Sequence, residues 1–407
     1  MHPNVPHLRF PEFHGEWEKC KVSDLLDFYS TNSLSWDQLE YGTDNMLNLH
    51  YGLIHVGLPT MVDLSKDILP AIKKEKEPKN FELCKEGDIA FADASEDTNE
   101  VAKAIEFYTL EDKAVVCGLH TIHGRDKSNK TVVGYKGYAF SSTAFHHQIR
   151  RIAQGTKIYS ISAKNFAECY IGIPSKEEQT KIAKLLRLID ESIATQSKLI
   201  EKLESLIKGI NQRVFLNSGI NYKIREICEI KSGYSGSQLL SKKGLKVSRI
   251  ETISGHKVNM ERVGYVAPFE SSENYRLRVG DILFSNINSV EYIGNTAFID
   301  KDYDLYHGMN LLRLTPNNMV VIPFYLYLLL NTNRMLNRFK TVCNKAVSQA
   351  SINQTELGKT VVQIPPINTQ EQICELYQAL YTKLETESHT KSLFQNQKQY
   401  MLRQMFI

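Results

Sequence analysis

The sequence lacks the long apolar run that a membrane-spanning helix needs, and it lacks the features of a signal peptide. Its longest apolar stretch, at residues 320–330, is too short to cross a bilayer and contains a proline. The first ten residues show no basic region followed by an apolar region and a cleavage site. The seven cysteines are an odd number without a C-x-x-C pair, which fits reduced thiols. We therefore expect a soluble, cytoplasmic protein.

Motifs of several enzyme classes are also missing. No G-x-x-x-x-G-K-[S/T] loop for nucleotide phosphates occurs. The only Pro-Pro pair, Pro365–Pro366, follows Ile and not the Asn or Asp of the adenine methyltransferase motif. Glu111 and Lys113, with Asp97 upstream, match the spacing of one nuclease family, but a surface loop explains so short a pattern better. No catalytic residue is predicted.

One group of metal-binding residue types stands close together in the sequence. Cys117, His120 and His123 have the spacing C-x-x-H-x-x-H, and both residue types are zinc ligands. No fourth ligand follows at the distance found in zinc fingers. We therefore predict no metal and no cofactor in this chain.

Charge is distributed unevenly along the 407 residues, a length that predicts two or three domains. Residues 1–112 carry a net charge of −12, from 10 Lys and Arg against 22 Asp and Glu. Residues 113–173 carry +7, from 9 against 2, and residues 217–364 carry +6, from 18 against 12. Because local positive charge attracts phosphates, each half of the chain has a candidate polyanion-binding region.

The chain contains an internal duplication. The pair Ile-Pro occurs at Ile173 and again at Ile364, 191 residues later. The sequence GDIAF at Gly87 returns as GDILF at Gly280, 193 residues later. A weaker pair joins residues 20–28 to residues 222–230. Three pairs in the same order favour a tandem repeat over chance.

Each repeat is predicted to be an α+β domain followed by a long helix. Runs of β-branched and aromatic residues broken by Gly, Asn and Asp indicate strands and turns. An apolar face over residues 322–342 predicts one helix of about five turns, with residues 141–155 as its counterpart. The predicted boundaries are 1–173 and 217–364 for the two domains and 174–216 and 365–407 for the two helices.

The two long helices have clear start signals and a heptad seam. Ser175 with Glu178 predicts a capping box after Pro174, and Thr369 with Gln372 predicts a matching cap. Apolar residues then recur at steps of four and three, which is typical of a coiled coil. The predicted seam residues are Ile182, Leu186, Ile189, Ile193, Ile200, Leu203, Ile207, Ile210 and Val214, and then Ile373, Tyr377, Leu380, Leu384, Phe394, Met401 and Met405.

These helices are predicted to pair with each other. Each is about 40 residues, or about 60 Å, longer than its own domain needs. Two seams of equal length can bury one another as an antiparallel coiled coil, with the domains at opposite ends. Gln196 and Glu387 are polar at the same register position, and Lys391 and Lys398 make the second seam less apolar.

The motifs resemble those of the specificity subunits of type I restriction-modification systems. The family's helical spacers open with Ile-Pro-x-x-x-x-Gln, which is similar to Ile173, Pro174 and Gln179 in the first repeat. The second repeat has the same residues at 364, 365 and 370, and residues 177–193 resemble the family's first spacer closely. The likeness in layout covers essentially the whole chain.

The resemblance implies a non-catalytic reader of double-stranded DNA. Each target-recognition domain would bind one half of a split, asymmetric sequence, and the helices would set the gap between the halves. Modification subunits would supply methyltransferase activity with S-adenosylmethionine. A restriction subunit would supply translocation and cleavage with ATP and Mg²⁺.

The two positive regions contain the candidate DNA contacts. Arg and Lys at base edges favour guanine and Asn favours adenine, whereas other cations and polar groups contact phosphates. The candidate base readers are Arg125, Asn129, Arg249, Asn286 and Asn288. The further candidates are Lys127, Lys130, Arg150, Arg151 and Lys157 in the first repeat and Lys231, Tyr234, Lys242, Lys243 and Lys345 in the second.

Two alternative functions stay open from the sequence alone. One is a coiled-coil scaffold that joins proteins without specific DNA binding, in which case the positive regions are accidental. The other is a nuclease acting on DNA, which only the weak pattern of Glu111 and Lys113 supports. DNA binding that weakens strongly with salt would separate a reader from a scaffold.

Overall fold

The computed structural model describes residues 4–43, 45–215, 219–345 and 349–407. The chain divides into two compact units: unit 1 contains Met1–Lys198 and Ser388–Ile407, and unit 2 contains Leu199–Glu387. The predicted boundary at 216/217 lies outside the described residues. Among the helices in the described ranges, none has both the length and the apolar character needed to cross a membrane.

Unit 1 mixes short strands with short helices. Its strands are β1 (Glu18–Lys21), β2 (Leu26–Tyr29), β3 (Leu39–Glu40), β4 (Leu47–Leu49), β5 (Met61–Asp63), β6 (Ala71–Ile72), β7 (Ile89–Ala92), β8 (Ala94–Ser95), β9 (Ala104–Thr109), β10 (Val115–Cys117), β11 (Thr121–Asp126), β12 (Tyr159–Ser160) and β13 (Tyr170–Ile173). Its short helices are α1 (Val22–Leu25), α2 (Tyr51–His55), α3 (Lys136–Phe140), α4 (Thr143–Ile152) and α5 (Ala163–Ala167), with 3₁₀ turns at Trp36–Gln38 and Lys74–Lys76.

The core of unit 1 lies against a five-stranded sheet of order β2-β11-β7-β9-β5. All four residues of β7 are buried, as expected for an apolar run covered on both faces. Phe91 of β7 packs against Phe140 and Phe166, with ring centroids 4.9 and 4.5 Å away. A four-stranded sheet, β10-β4-β6-β3, and the pairs β1-β13 and β12-β8 complete the unit.

The long helix α6 (Lys176–Val214) begins in unit 1, and its last part belongs to unit 2. The strands of unit 2 are β14 (Ile220–Lys223), β15 (Cys228–Ser232), β16 (Leu245–Val247), β17 (Gly264–Val266), β18 (Ile282–Ser285), β19 (Ile287–Asn288), β20 (Thr296–Phe298), β21 (Leu311–Pro316), β22 (Asn344–Lys345), β23 (Ala350–Ser351) and β24 (Val361–Ile364). Its helices are α7 (Ile224–Ile227), α8 (Pro323–Leu330), α9 (Asn333–Val342), α10 (Gln354–Lys359) and most of α11 (Ile367–Gln404), with 3₁₀ turns at Ile250–Ile253 and Ser272–Tyr275.

The two units repeat the same framework. The sheet β15-β21-β18-β20 of unit 2 matches β2-β11-β7-β9 of unit 1, and the pair β14-β24 matches β1-β13. In both repeats the glycine of GDI has a positive φ, 83° at Gly87 and 97° at Gly280, where a side chain would be strained. The aspartate that follows accepts a backbone hydrogen bond from the residue three positions earlier, at 2.9 Å for both Asp88 and Asp281. The predicted duplication and α+β class are confirmed.

One predicted helix is divided in the structure. Residues 322–342 form α8 and α9, not one continuous helix. The break falls at Asn331 and Thr332, because the Thr332 hydroxyl accepts the Met335 N–H and caps a new helix. In unit 1 the predicted counterpart at residues 141–155 contains α4, which Ser142 caps in the same way.

The long helices begin differently from the predicted caps. Ser175 Oγ accepts the N–H of Glu178 at 3.3 Å, but the Glu178 carboxylate binds Arg9 at 2.8 Å and does not close a capping box. The second cap was wrong, since α11 begins at Ile367 and Thr369 already lies inside it. Pro366, directly before the helix, accepts the N–H of Thr369 at 3.0 Å.

The two long helices pair antiparallel, as predicted. In unit 1, Leu186 near the start of α6 shares a core with Leu402 near the end of α11. Lys398 of α11 forms an ion pair of 2.6 Å with Asp190 of α6, so its cation is satisfied within the seam. In unit 2 the end of α6 meets the start of α11, where the Tyr377 hydroxyl donates to Asn211. Every predicted seam residue is buried or half-buried.

Candidate nucleic-acid interface

The glutamine of each Ile-Pro-x-x-x-x-Gln motif is buried and joins the start of a long helix to its domain by hydrogen bonds. Each such set of bonds is called a clip. Gln179 Nε2 donates to the carbonyls of Lys130 and Pro174, both at 2.9 Å. Its Oε1 accepts the N–H of Val132 at 2.9 Å. The side chain is 0% exposed, so these bonds satisfy groups that water cannot reach. The clip attaches the first turns of α6 to the loop that follows β11.

The second glutamine makes the same three bonds. Gln370 Nε2 donates to the carbonyls of Val320 and Pro365 at 3.1 and 2.8 Å, and its Oε1 accepts the N–H of Ile322 at 2.8 Å. The preceding isoleucine ends a strand in each repeat, and the proline follows it before the helix begins. The repeated motif is therefore a strand-to-helix junction that joins each domain to its long helix.

A small outer sheet directly follows the buried central strand in each unit. In unit 1, β7 leads into β8, which pairs with β12. In unit 2, β18 leads into β19, which belongs to the sheet β19-β23-β22. Both sheets therefore emerge from equivalent places in the repeated framework. The sheet of unit 2 carries two of the candidate DNA contacts, Asn288 and Lys345.

Unit 2 brings three candidates together at its outer sheet. Asn288 and Lys345 both face Ala350, from β19 and β22 on either side of β23. Asn286 lies just before β19, and its buried Oδ1 has no hydrogen-bond partner among the described residues. Asn288 Nδ2 donates to Ser285 at 3.0 Å, which holds this amide in place. Because both pair with Ala350, Asn288 and Lys345 place an amide and a cation on the same face of this sheet.

A second basic segment of unit 2 is the exposed loop at residues 233–244. It carries Lys242 and Lys243, and within the described ranges neither these lysines nor Lys345 forms an ion pair. Tyr234 stacks on the ring of Phe269, with centroids 3.9 Å apart. The remaining two candidates of unit 2 lie next to carboxylates: Lys231 contacts Glu229 at 2.8 Å and Arg249 contacts Glu251 at 3.5 Å.

In unit 1, Arg125 is bound inside the domain. Its guanidinium donates to both carboxylate oxygens of Asp88, at 2.9 and 2.8 Å, and to Glu82 and the Leu83 carbonyl. These bonds occupy four of its five N–H donors. The hydrogen bonds with Asp88 raise the pKa of Arg125 above its ordinary value. Lys136 is likewise buried, 3.0 Å from Glu106, so part of the positive region is neutralised internally.

The loop after β11 holds three further candidates. Lys127 Nζ donates to the Ser23 carbonyl at 2.7 Å, and Lys130 forms an ion pair with Glu18. Asn129 has a left-handed φ of 49°, and its Oδ1 accepts from Lys176 at 3.4 Å. All three predicted DNA-contacting side chains of this loop therefore have partners within unit 1.

Asp126 closes this loop with a network of hydrogen bonds. Its carboxylate accepts from the backbone N–H and the hydroxyl of Thr131 at 2.8 and 2.6 Å, and from Ser128 at 2.9 Å. Burial disfavours the charged carboxylate, but the bonds from Thr131 and Ser128 outweigh it and hold the pKa of Asp126 below its ordinary value. The ionised form therefore stabilises the folded loop.

We expect Asp126→Asn to lower the free energy of unfolding by about 1–2 kcal/mol at pH 7. This loss is smaller than for a fully buried carboxylate, because Asp126 is half-buried and solvent screens its charge. Because the folded pKa is depressed, the native stabilisation is present above the unfolded pKa, near 3.9, and disappears as pH falls through the folded value. Calorimetric unfolding of native and variant chains at pH 7, 4 and 3 should show a stability gap that is nearly constant down to about pH 4 and narrows below it. A gap that is the same at every pH would contradict this role.

The last candidates of unit 1 lie on and after α4. Arg150 donates to Asn99 at 3.0 Å and contacts His147 at 2.8 Å. Arg151 and Lys157 are exposed and form no ion pair in the ranges that the structure describes. Exposed cations without a carboxylate partner are available for phosphates. The DNA-contact role of every candidate stays a prediction.

The nuclease-like pattern does not form a cluster. Asp97 lies before β9, and Glu111 with Lys113 lies after it, so the six residues of β9, about 20 Å of strand, separate them. Lys113 Nζ donates to the Leu64 carbonyl at 2.7 Å, which fixes it away from Asp97. This geometry does not support metal-assisted cleavage by these residues.

Comparison with known proteins agrees with the repeated framework. A family described as the type I restriction modification DNA specificity domain matches residues 107–205 and 220–393, which is more than half of the chain and includes parts of both repeats. The chain therefore belongs to this family.

Individual relatives are similar over part of their length. The putative type I restriction enzyme MjaX specificity subunit of Methanocaldococcus jannaschii is 36% identical over 46% of this chain and 45% of its own length. The EcoKI specificity subunit of Escherichia coli is 24% identical over 62% of this chain and 59% of its own length. The matched regions thus span roughly half of these curated relatives.

Two solved structures share the fold over nearly the whole chain. The S subunit of a type I restriction-modification system from M. genitalium has a TM-score of 0.59 at 16% identity and covers 99% of both chains. A chain from a study of complex assembly and conformational transition of the type I R-M system has a TM-score of 0.61 at 16% identity and covers 98% of both. At 16% identity, the similarity to these two structures shows a shared fold.

Proposed function

We propose that this chain is the DNA-specificity subunit of a type I restriction-modification complex and reads a split, asymmetric site, with one domain for each half-site. The observation that carries the proposal is the match of the specificity family to both repeats. We propose that the chain is not itself an enzyme and that it works in the cytoplasm on double-stranded DNA. Methylation with S-adenosylmethionine belongs to modification subunits, and translocation and cleavage with ATP and Mg²⁺ belong to a restriction subunit.

The division between framework and surface supports two different half-sites. The elements that repeat are the buried strands β7 and β18 and the clips at Gln179 and Gln370. The small sheets at equivalent places differ: β19-β23-β22 carries Asn288 and Lys345, whereas β8-β12 carries none of the candidate contacts. One duplicated scaffold can therefore present two unlike sets of base-reading and phosphate-binding side chains.

Selection of bound sequences from random duplex DNA tests the proposal. The full chain, purified with its modification subunits, should enrich two fixed sequences separated by a constant number of unspecified base pairs. Affinity for the enriched duplex should fall steeply with salt, because phosphate contacts release counterions. No enrichment, together with indifference to salt, would instead support a protein-joining scaffold.

We expect the paired helices to set the number of unspecified base pairs. Inserting four residues after Gln196 lengthens α6 by about 6 Å, close to two base-pair rises of DNA. A matching insertion after Ser392, which the Asp190–Lys398 contact places opposite Gln196, keeps the two seams aligned. The selected sites should then have a longer gap with unchanged half-sites.

A four-residue insertion at Gly42 is the matched control for that experiment. Gly42 lies in an exposed bend of unit 1 between β3 and β4, two strands that pair with β6 and β10, and no atom lies within 4 Å of the position of an added Cβ. This insertion should leave both gap and half-sites as they are. An unchanged gap in the doubly lengthened helices would contradict the spacing role.

A further inference from the structure

Two cysteines and a histidine form a buried cluster in unit 1. The sulfurs of Cys84 and Cys117 are 3.6 Å apart, and a ring nitrogen of His123 lies within 4.8 Å of both. The three residues are 6%, 2% and 0% exposed. Thiolate and imidazole are the two side-chain groups that zinc prefers in proteins.

Three separate chain segments position these side chains. Cys84 precedes β7, and its N–H donates to the carbonyl of Val115 at 2.8 Å, which ties it to β10. Cys117 is the last residue of β10, and His123 lies within β11. The cluster therefore arises from the tertiary fold of this domain, and each ligand is fixed by a strand or a strand-like contact.

The histidine is oriented by a carboxylate. His123 Nε2 lies 2.8 Å from Asp88 Oδ2, and Asp88 also accepts from Arg125 and from the backbone N–H of Lys85. Both oxygens of Asp88 accept hydrogen bonds from the Arg125 guanidinium, so this carboxyl acts as an acceptor toward His123. Nε2 therefore carries the ring proton, and Nδ1 keeps a free electron pair.

That free nitrogen has no partner in the described protein. His123 Nδ1 is buried and makes no hydrogen bond to any described residue. An unsatisfied buried acceptor destabilises the fold, and a bound cation would remove that cost. A histidine that donates one ring N–H to a carboxylate and presents the other nitrogen is the usual arrangement of a metal ligand.

We propose that Cys84, Cys117 and His123 bind a zinc ion, with Asp88 as the positioning residue for the histidine. Two thiolates balance the charge of Zn²⁺, so the buried complex is neutral, whereas Cu⁺ would leave a net negative charge there. The three side chains supply three of the four positions that zinc prefers. The ion would fasten the segment before β7 to β10 and β11.

The site belongs to one domain and not to the shared framework. Leu277 donates to Leu305 in unit 2 as Cys84 donates to Val115 in unit 1, so Leu277 and His307 stand where Cys84 and Cys117 stand. Arg313 faces β15 where His123 faces β2. An apolar side chain and a guanidinium cannot bind zinc. Zinc would therefore fasten only the recognition domain of unit 1.

The proposed ligands differ from the set considered in the sequence, which was Cys117, His120 and His123 and for which no metal was predicted. His120 is half-exposed and lies 3.1 Å from Asp93, away from this cluster. Its place is taken by Cys84, which lies 33 residues before Cys117. The spacing of zinc fingers concerns ligands that are close in sequence. It therefore does not identify a ligand such as Cys84, which strand pairing brings near from 33 residues away.

Zinc content of the full chain tests the site directly. After dialysis against Zn²⁺ with a reducing agent and removal of loosely held metal, we expect about one zinc per chain by mass spectrometry. Co²⁺ in place of Zn²⁺ should give the strong near-ultraviolet absorption of thiolate-to-cobalt charge transfer. A native chain that retains no zinc and gives no such absorption would overturn the proposal.

Three variants and one control assign the ligands. Cys84→Ser and Cys117→Ser should each weaken zinc binding at least tenfold. His123→Gln should do the same, because its amide can still meet Asp88 while Nδ1 is lost. Cys228→Ser, which removes a buried thiol of unit 2, should keep full zinc content. Circular dichroism identifies any variant that fails to fold. If a variant does not fold, the zinc content and the cobalt spectrum of the native chain decide whether the site exists.

Two other results would also overturn the assignment. One is zinc that stays bound with native affinity in all three folded variants, since the ion would then lie elsewhere. The other is a disulfide between Cys84 and Cys117 that forms in air equally with and without Zn²⁺, which would make the two thiols a redox pair. These measurements do not use DNA, so their outcome is independent of the proposed reading function.

Discussion

Replacing Gln179 by alanine is expected to lower the free energy of unfolding by about 3 kcal/mol or more. The substitution leaves the N–H of Val132 and the carbonyls of Lys130 and Pro174 without a partner. Each buried group left unsatisfied costs about 1–3 kcal/mol, and the side chain is 0% exposed, so water does not replace it without rearrangement. Denaturant unfolding of the full chain, followed by circular dichroism, measures the loss.

The repeat supplies an internal test of this result. Gln370→Ala removes the equivalent three bonds in unit 2 and should cost a similar amount. Gln212→Ala and Gln378→Ala, at exposed positions of α6 and α11, should change stability by no more than about 0.5 kcal/mol. If the buried variants behave like the exposed ones, the clips do not hold the helices to the domains.

Gln179→Glu separates the hydrogen bonds from the packing. Glutamate has the same shape and can still accept the Val132 N–H. Its carboxylate would, however, lie 2.9 Å from the carbonyls of Lys130 and Pro174, to which it cannot donate. We therefore expect this variant to be at least as unstable as the alanine variant at neutral pH and to recover partly at acid pH, where the carboxyl is protonated.

The sequence predicted the features that depend on local periodicity and on the repeat. A seam is predicted from apolar residues at steps of three and four, and this pattern depends only on neighbouring turns of one helix. Every predicted seam residue is buried or half-buried. The duplication also identified Gln179 and Gln370 as equivalent. Their bonding partners could not be predicted, because the N–H groups that they bind belong to Val132 and Ile322, 47 and 48 residues earlier in the chain.

The errors share a physical cause, which is competition from groups distant in sequence or from a neighbouring polar side chain. The capping box is incomplete because Arg9, 169 residues away, takes the Glu178 carboxylate. One apolar face suggested a single helix at residues 322–342, but the Thr332 hydroxyl starts a second helix. The contact of Arg125 with Asp88 was also not predicted, because the two residues lie 37 apart in sequence, and the base-reading role of Arg125 stays a prediction. Formal charge along a chain cannot tell a buried cation from an exposed one.

The exposed and unpaired lysines of unit 2 give the largest expected effect on DNA binding. Lys242, Lys243 and Lys345 form no ion pair among the described residues, so each can meet a phosphate without breaking a native contact. Each phosphate contact adds about 0.9 to the slope of log K against log salt. Replacing all three by glutamine should lower that slope by about 2.7 and weaken binding at 0.1 M salt on the order of 100-fold. Fluorescence anisotropy on the selected duplex over a salt series measures both quantities.

A control with the same change in net charge separates local contact from general attraction. Lys257, Lys359 and Lys383 of unit 2 lie next to Glu385, Glu356 and Glu387, so neutralising them leaves carboxylates behind and no phosphate contact is lost. The control triple variant should therefore keep its slope and lose far less affinity. Because phosphate contacts position a protein without reading bases, the first triple variant should also select the same two half-sites as the native chain. Equal losses in both variants would mean that net charge alone attracts the DNA, and a changed half-site would mean that these lysines read bases.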